Sequence, residues 1–223
     1  MIDARFLQLC DSAFPSGAFS QSFGLETAVL ERGIADAAGV REWIAAYLEQ
    51  GLATLDARAF VLGMRGTASV AELDRVLAAS VFARDVRAAN RRLARATLEA
   101  YSAMGISDDE ITAYRDAILA GHASGQHALA CMLGYRAIGA PVEDAVCAYL
   151  SSAAAALAAV AARAVPLGQR DVGALLWSLR APLAAFTRSA CSAGSIDDLS
   201  SSALLCELDA LRHDRLDARL FAS

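Results

Sequence analysis

Three histidines and five cysteines are the residues of this 223-residue chain best suited to hold a metal or to attack a substrate. Their spacing supports neither role. His122 and His127 lie five residues apart around Ser124-Gly125, one past the i, i+4 spacing that sets two ligands on one helical face. A structural role is the expectation for both, with a passing metal contact as the alternative. His213 sits in Arg212-His213-Asp214-Arg215, where a surface or interface role outranks catalysis. Cys10, Cys131, Cys147, Cys191 and Cys206 are dispersed and form no Cys-x-x-Cys pair, which removes a zinc site built on cysteines. They read as free, mostly buried thiols of a cytoplasmic chain in a reducing compartment. No Gly-x-Ser-x-Gly elbow, His-Glu-x-x-His helix or Glu-x-x-His pair occurs, so the usual hydrolase, zinc-protease and dimetal signatures are missing. Asp108, Asp109 and Glu110 read as acidic charge at a helix N-terminus. No catalytic residue, metal ligand or cofactor is therefore assigned, and a binding or scaffolding protein is preferred to an enzyme.

The basic residues narrow the chemistry further. All twenty are arginine. Without lysine there is no Schiff base, no lysine general base and no Walker A phosphate loop, so the chain is not itself a P-loop nucleotide hydrolase. A net charge of −5 gives no general attraction to nucleic acid. Arg84, Arg87, Arg91 and Arg95 form one helical stripe beside Arg92. It reads as a solvated face, or alternatively as a docking stripe for an acidic partner.

The elements that position these residues are helical throughout. Apolar residues at Val40, Trp43, Ile44, Tyr47 and Leu48 share one helix face. Ser69-Val70-Ala71-Glu72 and Ser107-Asp108-Asp109-Glu110 fit a capping box. Helices are expected over 81–104, 124–138, 142–164 and 171–185, the third stopped before Pro166. The uncharged run Ala145–Ala162 approaches membrane-spanning length, but it is mostly alanine and reads as a tightly packed internal helix. Asp3, Arg5 and Asp11 argue against a signal peptide. No stretch alternates as a strand does. The expectation is an all-α, single-domain bundle of about eight to ten helices spanning 1–223. A serine-rich run, 189–202, would tether an exposed, mobile C-terminal segment at about 203–223.

One stretch stands apart in composition: Phe14-Pro15-Ser16-Gly17-Ala18-Phe19-Ser20-Gln21-Ser22-Phe23-Gly24-Leu25-Glu26. Pro15 holds Phe14 extended and Pro-Ser-Gly forms a turn. Ser20 or Ser22 is placed to cap a helix starting near Phe23, with Glu26 closing the box. The aromatic residues exceed what a turn requires and point to an anchor or binding surface, with Phe14 and Phe19 as the anchors.

This stretch resembles the signature of the urease accessory protein UreF family. The likeness continues in order through Ser124-Gly125-Gln126-His127-Ala128, Val165-Pro166-Leu167-Gly168-Gln169-Arg170-Asp171, and the ending Leu211-Arg212-His213-Asp214-Arg215-Leu216 through Arg219-Leu220-Phe221. Two departures are Gln21, where many members carry histidine or tyrosine, and Asp217, where an aromatic residue is common. The first weakens metal binding at the turn. The resemblance implies a non-catalytic, all-helical, homodimeric maturation factor. Such a factor joins UreD (UreH in some species), recruits and regulates the GTPase UreG, and serves nickel insertion into the urease apoprotein. Carried onto this chain, Arg212, His213, Arg215, Arg219, Leu220 and Phe221 would dock on UreD. Pro15, Ser16, Gly17, Phe19, Ser20, Ser22, Gly24 and Glu26, with Phe14, would support the dimer or partner surface. Gln169, Arg170 and Asp171 would meet the GTPase. Neither nucleic acid nor membrane is expected as a partner. The alternatives are an arginine, Arg170 or Arg212, acting in trans on the GTPase, and a direct nickel carrier.

Overall fold

The computed structural model describes residues 3–223. Among these it shows twelve α-helices and no strand, more helices than the periodicity predicts. They are α1 (Ala4–Cys10), α2 (Leu25–Arg32), α3 (Ala37–Tyr47), α4 (Asp56–Arg65), α5 (Val70–Ser80), α6 (Arg84–Ala103), α7 (Asp109–Ala120), α8 (His127–Ala137), α9 (Val142–Ala164), α10 (Gln169–Ser178), α11 (Arg180–Cys191) and α12 (Leu204–Arg212). Short 3-10 turns cover Ala18–Ser20, Ile196–Asp198 and His213–Arg215, and a π-helical turn, Leu48–Leu52, joins α3 towards α4.

The extra helices come from local interruptions that a periodic pattern hides. The segment expected at 171–185 breaks at Leu179, between α10 and α11. Pro182 stands three residues into α11, where its missing N–H is harmless. In a continuous helix its ring would collide with the carbonyl four residues earlier. The helix expected from Val81 begins at Arg84 instead. The Arg87 guanidinium turns back to donate to the Val81 and Phe82 carbonyls at 2.8 and 2.7 Å, holding that stretch extended. Helix α8 begins at His127, not Ser124, because the buried Asp74 carboxylate of α5 accepts from the Ser124 and Gly125 backbone N–H groups at 2.7 and 3.0 Å. Ser69 caps α5 as its spacing predicts, whereas α7 is capped by Asp108 rather than Ser107.

The core forms around α9, which packs on α11, α4, α10, α3 and α2. Its alanines let those helices approach closely, and of the described helices it alone is long and apolar enough to span a membrane. Just over half of that apolar window, 56%, is buried inside the fold, as expected of a core helix. A second layer crosses α8 over α6 and α4. That crossing needs Gly134, because a Cβ there would lie 2.2 Å from the Tyr101 ring. The thiols are less buried than their composition predicts. Cys206 is buried, while Cys10, Cys131, Cys147 and Cys191 are half-buried, and all five are free.

Candidate interaction site at the signature turn

The turn at 14–26 and the C-terminal segment lie about two hundred residues apart in sequence, yet they make one structure. The segment expected to stand exposed folds back as α12, a 3-10 turn and an extended strap, which lie against α2 and α6. Glu26 is the centre of the junction. It was expected to close a capping box, but α2 starts after Gly24 with no side-chain cap. Its carboxyl group, 2% exposed, accepts instead from the strap's Leu220 and Phe221 N–H groups at 2.6 and 3.2 Å. It also pairs with His213 Nε2 at 3.1 Å, while His213 Nδ1 faces Asp85 of α6 at 3.0 Å. His213, expected at a surface, is fully buried. The ring thus bridges two carboxyl groups, one on the turn side and one on α6. Arg219 adds a contact to Asp85 at 3.2 Å.

The junction is closed by main-chain pairing. The Ala222 N–H donates to the Ser20 carbonyl at 3.0 Å, and the Ser22 N–H donates to the Ser223 carbonyl oxygen at 2.7 Å, with the Ser22 hydroxyl on the same oxygen. Phe221 is buried beneath the Arg163 guanidinium, 4.7 Å from the ring centroid, and that guanidinium also donates to the Phe19 carbonyl at 3.3 Å. Gly24 fixes how closely α12 approaches. It has φ +97°, and a Cβ would sit 2.6 Å from the Ala210 backbone nitrogen. On the other side of α12, buried Asp209 accepts from Arg32 at 2.7 Å and from the Trp43 indole N–H at 2.9 Å.

The residues expected to meet partners therefore divide. Ser22, Gly24, Glu26, His213 and Phe221 are buried and build the junction. Phe14 is half-buried against Tyr101, with ring centroids 5.7 Å apart, so only one of the two expected aromatic anchors faces outward. Phe19, at 60%, and Leu220, at 65%, are exposed, as are Pro15, Arg212, Arg215 and Arg219. Ser16, Gly17 and Ser20 are half-buried within the turn, where the Ser20 hydroxyl donates to the Gly17 carbonyl at 2.8 Å. Gln21 is buried and ties the Arg92 guanidinium of α6 to the turn at 3.1 Å. The arginine stripe is thus partly engaged inward, since Arg91 also donates to the Ile118 carbonyl at 2.6 Å.

Gln169, Arg170 and Asp171 open α10 and are all exposed. Asp171 accepts from the Gly168 N–H at 2.9 Å, and exposed Trp177 lies under Arg180 at the far end of the helix. Among the described residues, this corner shares no hydrogen bond or ion pair with the junction.

Behind the turn lies a cavity of about 200 Å³. Asp11, Ser12 and Phe19 form its exposed rim, and Tyr47, Tyr101, Tyr135 and Tyr149 line its interior with Asp56. A smaller cavity of about 70 Å³ under α12 shares the Tyr47 and Asp56 wall. Burial pushes the Asp56 carboxyl up to about 7, against weaker opposing hydrogen bonds from its own backbone N–H and from the Tyr149 phenol. His127 and Cys131 meet at 3.3 Å across one helical turn and also line the cavity. Burial pushes the imidazole down to about 4 and the thiol up to about 12, so both are neutral at physiological pH and the thiol is not an activated nucleophile. Among the described residues no three His, Cys, Asp or Glu side chains converge as a metal site would require. Sequence reasoning missed Asp56, Asp85 and Asp209. Each is one acid on an ordinary helical segment, which does not say which way it points. The His127–Cys131 pair carried a readable i, i+4 spacing.

Comparisons with known proteins fit this architecture. A sequence model described as UreF matches residues 34–180. The urease accessory protein UreF of Arthrobacter sp. (strain FB24) is 35% identical over 217 residues, covering 97% of this chain and 95% of that protein. That of Paenarthrobacter aurescens (strain TC1) is 34% identical over 216 residues, covering 97% and 96%. That of Bacillus sp. (strain TB-90) is 31% identical over 225 residues, again covering 97% and 96%. At 97% coverage these alignments extend beyond the span of the family model at both ends. The chain belongs to the UreF family of urease accessory proteins, which are maturation factors rather than enzymes.

Proposed function

We propose that this chain is a cytoplasmic helical adaptor in urease maturation, joining UreD (UreH) at the turn–strap face and recruiting the GTPase UreG for nickel insertion into the urease apoprotein. The observation that carries the reading is the unpartnered apolar face of α12 beside the junction. Leu204, Leu205, Leu208 and Leu211 are all exposed there, with Leu220 and Phe19 further along the strap and turn. A stripe of this kind on a short helix is stabilised when a partner covers it. A homodimer would cover further apolar surface, and the isolated chain is expected to self-associate or to be poorly soluble. Buried junction residues act by shaping the face, and exposed ones act by contact.

The test is co-purification with UreD and UreG, comparing the full chain with one truncated after Ala203. Because truncation removes buried Phe221 and His213, the paired test is Leu208→Glu with Leu211→Glu, which leaves the core untouched. Loss of UreD with an unchanged melting temperature supports the reading, and full retention of UreD overturns it. A second reading has one arginine acting in trans on the GTPase. It is favoured at Arg170, which is exposed and makes no described ion pair, over Arg212, which pairs with Glu31 at 3.2 Å. Arg170→Ala would then keep the complex but lose GTP-dependent activation. A direct nickel carrier requires a converging donor set, and among the described residues no three His, Cys, Asp or Glu side chains form one.

A further inference from the structure

The cavity behind the signature turn has a composition that selects its ligand. Two carboxylates line it, Asp11 at the exposed rim and Asp56 in the interior, and no arginine does. The one basic ring, His127, is neutral there. The four tyrosines with Phe14 and Phe23 share the rest of the wall with aliphatic side chains, alanines and Asn90. Several of these rings brace one another, with Phe23 and Tyr47 stacked at 6.1 Å and Phe14 tilted on Tyr101 at 5.7 Å. A carboxylate removed from water without a cationic partner is costly, and aromatic faces attract positive charge on an apolar body. A metal ion held directly by protein ligands needs several converging donor side chains, and among the described residues no three His, Cys, Asp or Glu side chains form such a group. At 10–15 Å³ of the same measure per water, roughly a dozen or more waters would fill the space, so a small organic molecule fits.

We propose that this cavity binds a small organic cation, an alkylammonium or similar amine, with Asp56 as its counter-ion, the tyrosine rings as its cage and Asp11 drawing it to the mouth. The site is independent of the adaptor reading, since neither Asp56 nor the tyrosines belong to the exposed face of α12.

Choline and its uncharged isostere 3,3-dimethyl-1-butanol separate charge recognition from shape. Isothermal calorimetry on the full chain is expected to show saturable one-to-one choline binding, about tenfold tighter than the alcohol, as a caged and desolvated cation allows. Asp56→Asn should remove that preference, and Asp11→Asn should weaken choline about twofold in a salt-dependent way. Equal affinity for the two probes, or no saturation by roughly 10 mM choline, overturns the proposal. So does stoichiometric displacement of choline by nickel that is lost in His127→Ala. If Asp56→Asn fails to fold, the contrast between choline and the alcohol on the native chain still decides.

Discussion

Two carboxyl groups sit inside this molecule under opposite conditions. Glu26 is surrounded by donors, namely two strap N–H groups and the His213 ring. Asp56 faces tyrosines and open space, with the Tyr149 phenol beside it. The difference teaches how to separate a structural acid from an available one. Buried acids with every oxygen engaged hold distant segments together, whereas a buried acid beside a void leaves a demand that a ligand can meet.

Removing Glu26 should break the comparison most severely. Glu26→Ala leaves His213 and two N–H groups buried without their acceptor, an expected loss of about 3–5 kcal/mol. Amide exchange across 213–222 should accelerate while α8 stays protected. If the variant melts within about 1 kcal/mol of the parent, scaled as about 2–4 °C per kcal/mol for a chain this size, the junction is not the clasp described above. Gly24→Ala comes next, at roughly 2–4 kcal/mol, because a strained φ and a clash with the α12 backbone act together. Its control is Gly17→Ala, where φ is +78° but no atom lies within 4 Å, so only about 1 kcal/mol is expected. Equal losses at the two glycines would remove the case for a contact-limited helix crossing.

The Asp56 side responds to pH instead. Its folded pKa of about 7 lies above the ordinary aspartate value of 3.8, so the folded state holds the proton more tightly than the unfolded one. Stability is highest below the unfolded pKa, falls as pH rises towards about 7, and then stays level. Asp56→Asn should flatten this slope, match the parent at pH 4, and melt roughly 2–4 °C higher at pH 8, the equivalent of about 1 kcal/mol. A parent and variant with parallel pH profiles would contradict a desolvated Asp56 with no cation beside it. The smallest stability effect belongs to the α10 corner. Arg170→Ala should stay within about ±0.5 kcal/mol while reducing capture of the GTPase, so a large melting shift there would refute its surface role.

Much of the helical layout is legible in the residues. The alanine-rich run ending before Pro166 is α9 with its expected bounds, 142–164, because its stop signals are local. Breaks made by long-range contacts were not legible. Asp74 delays α8 from another helix, and Arg87 reaches back over a loop, so neither leaves a mark in the local pattern. Pro182 was visible but sits three residues past the break it causes. At the site, the turn and the ending were each recognisable. Their union through Glu26 was not, because Glu26 fits a capping box equally well by spacing. Only the three-dimensional path of the strap decides which donors that side chain meets.

The two tryptophans follow the same division between sealed and open surface. Trp43 is buried, its indole held by Asp209 of α12, while Trp177 is 69% exposed on α10. The molecule thus carries two native fluorophores that report separate events. Trp43 should emit at shorter wavelength, resist acrylamide quenching, and shift red when α12 lifts. Trp177 should quench freely until something covers α10. With Trp177→Phe, a single unlabelled chain becomes a real-time optical reporter of whether its C-terminal helix is seated.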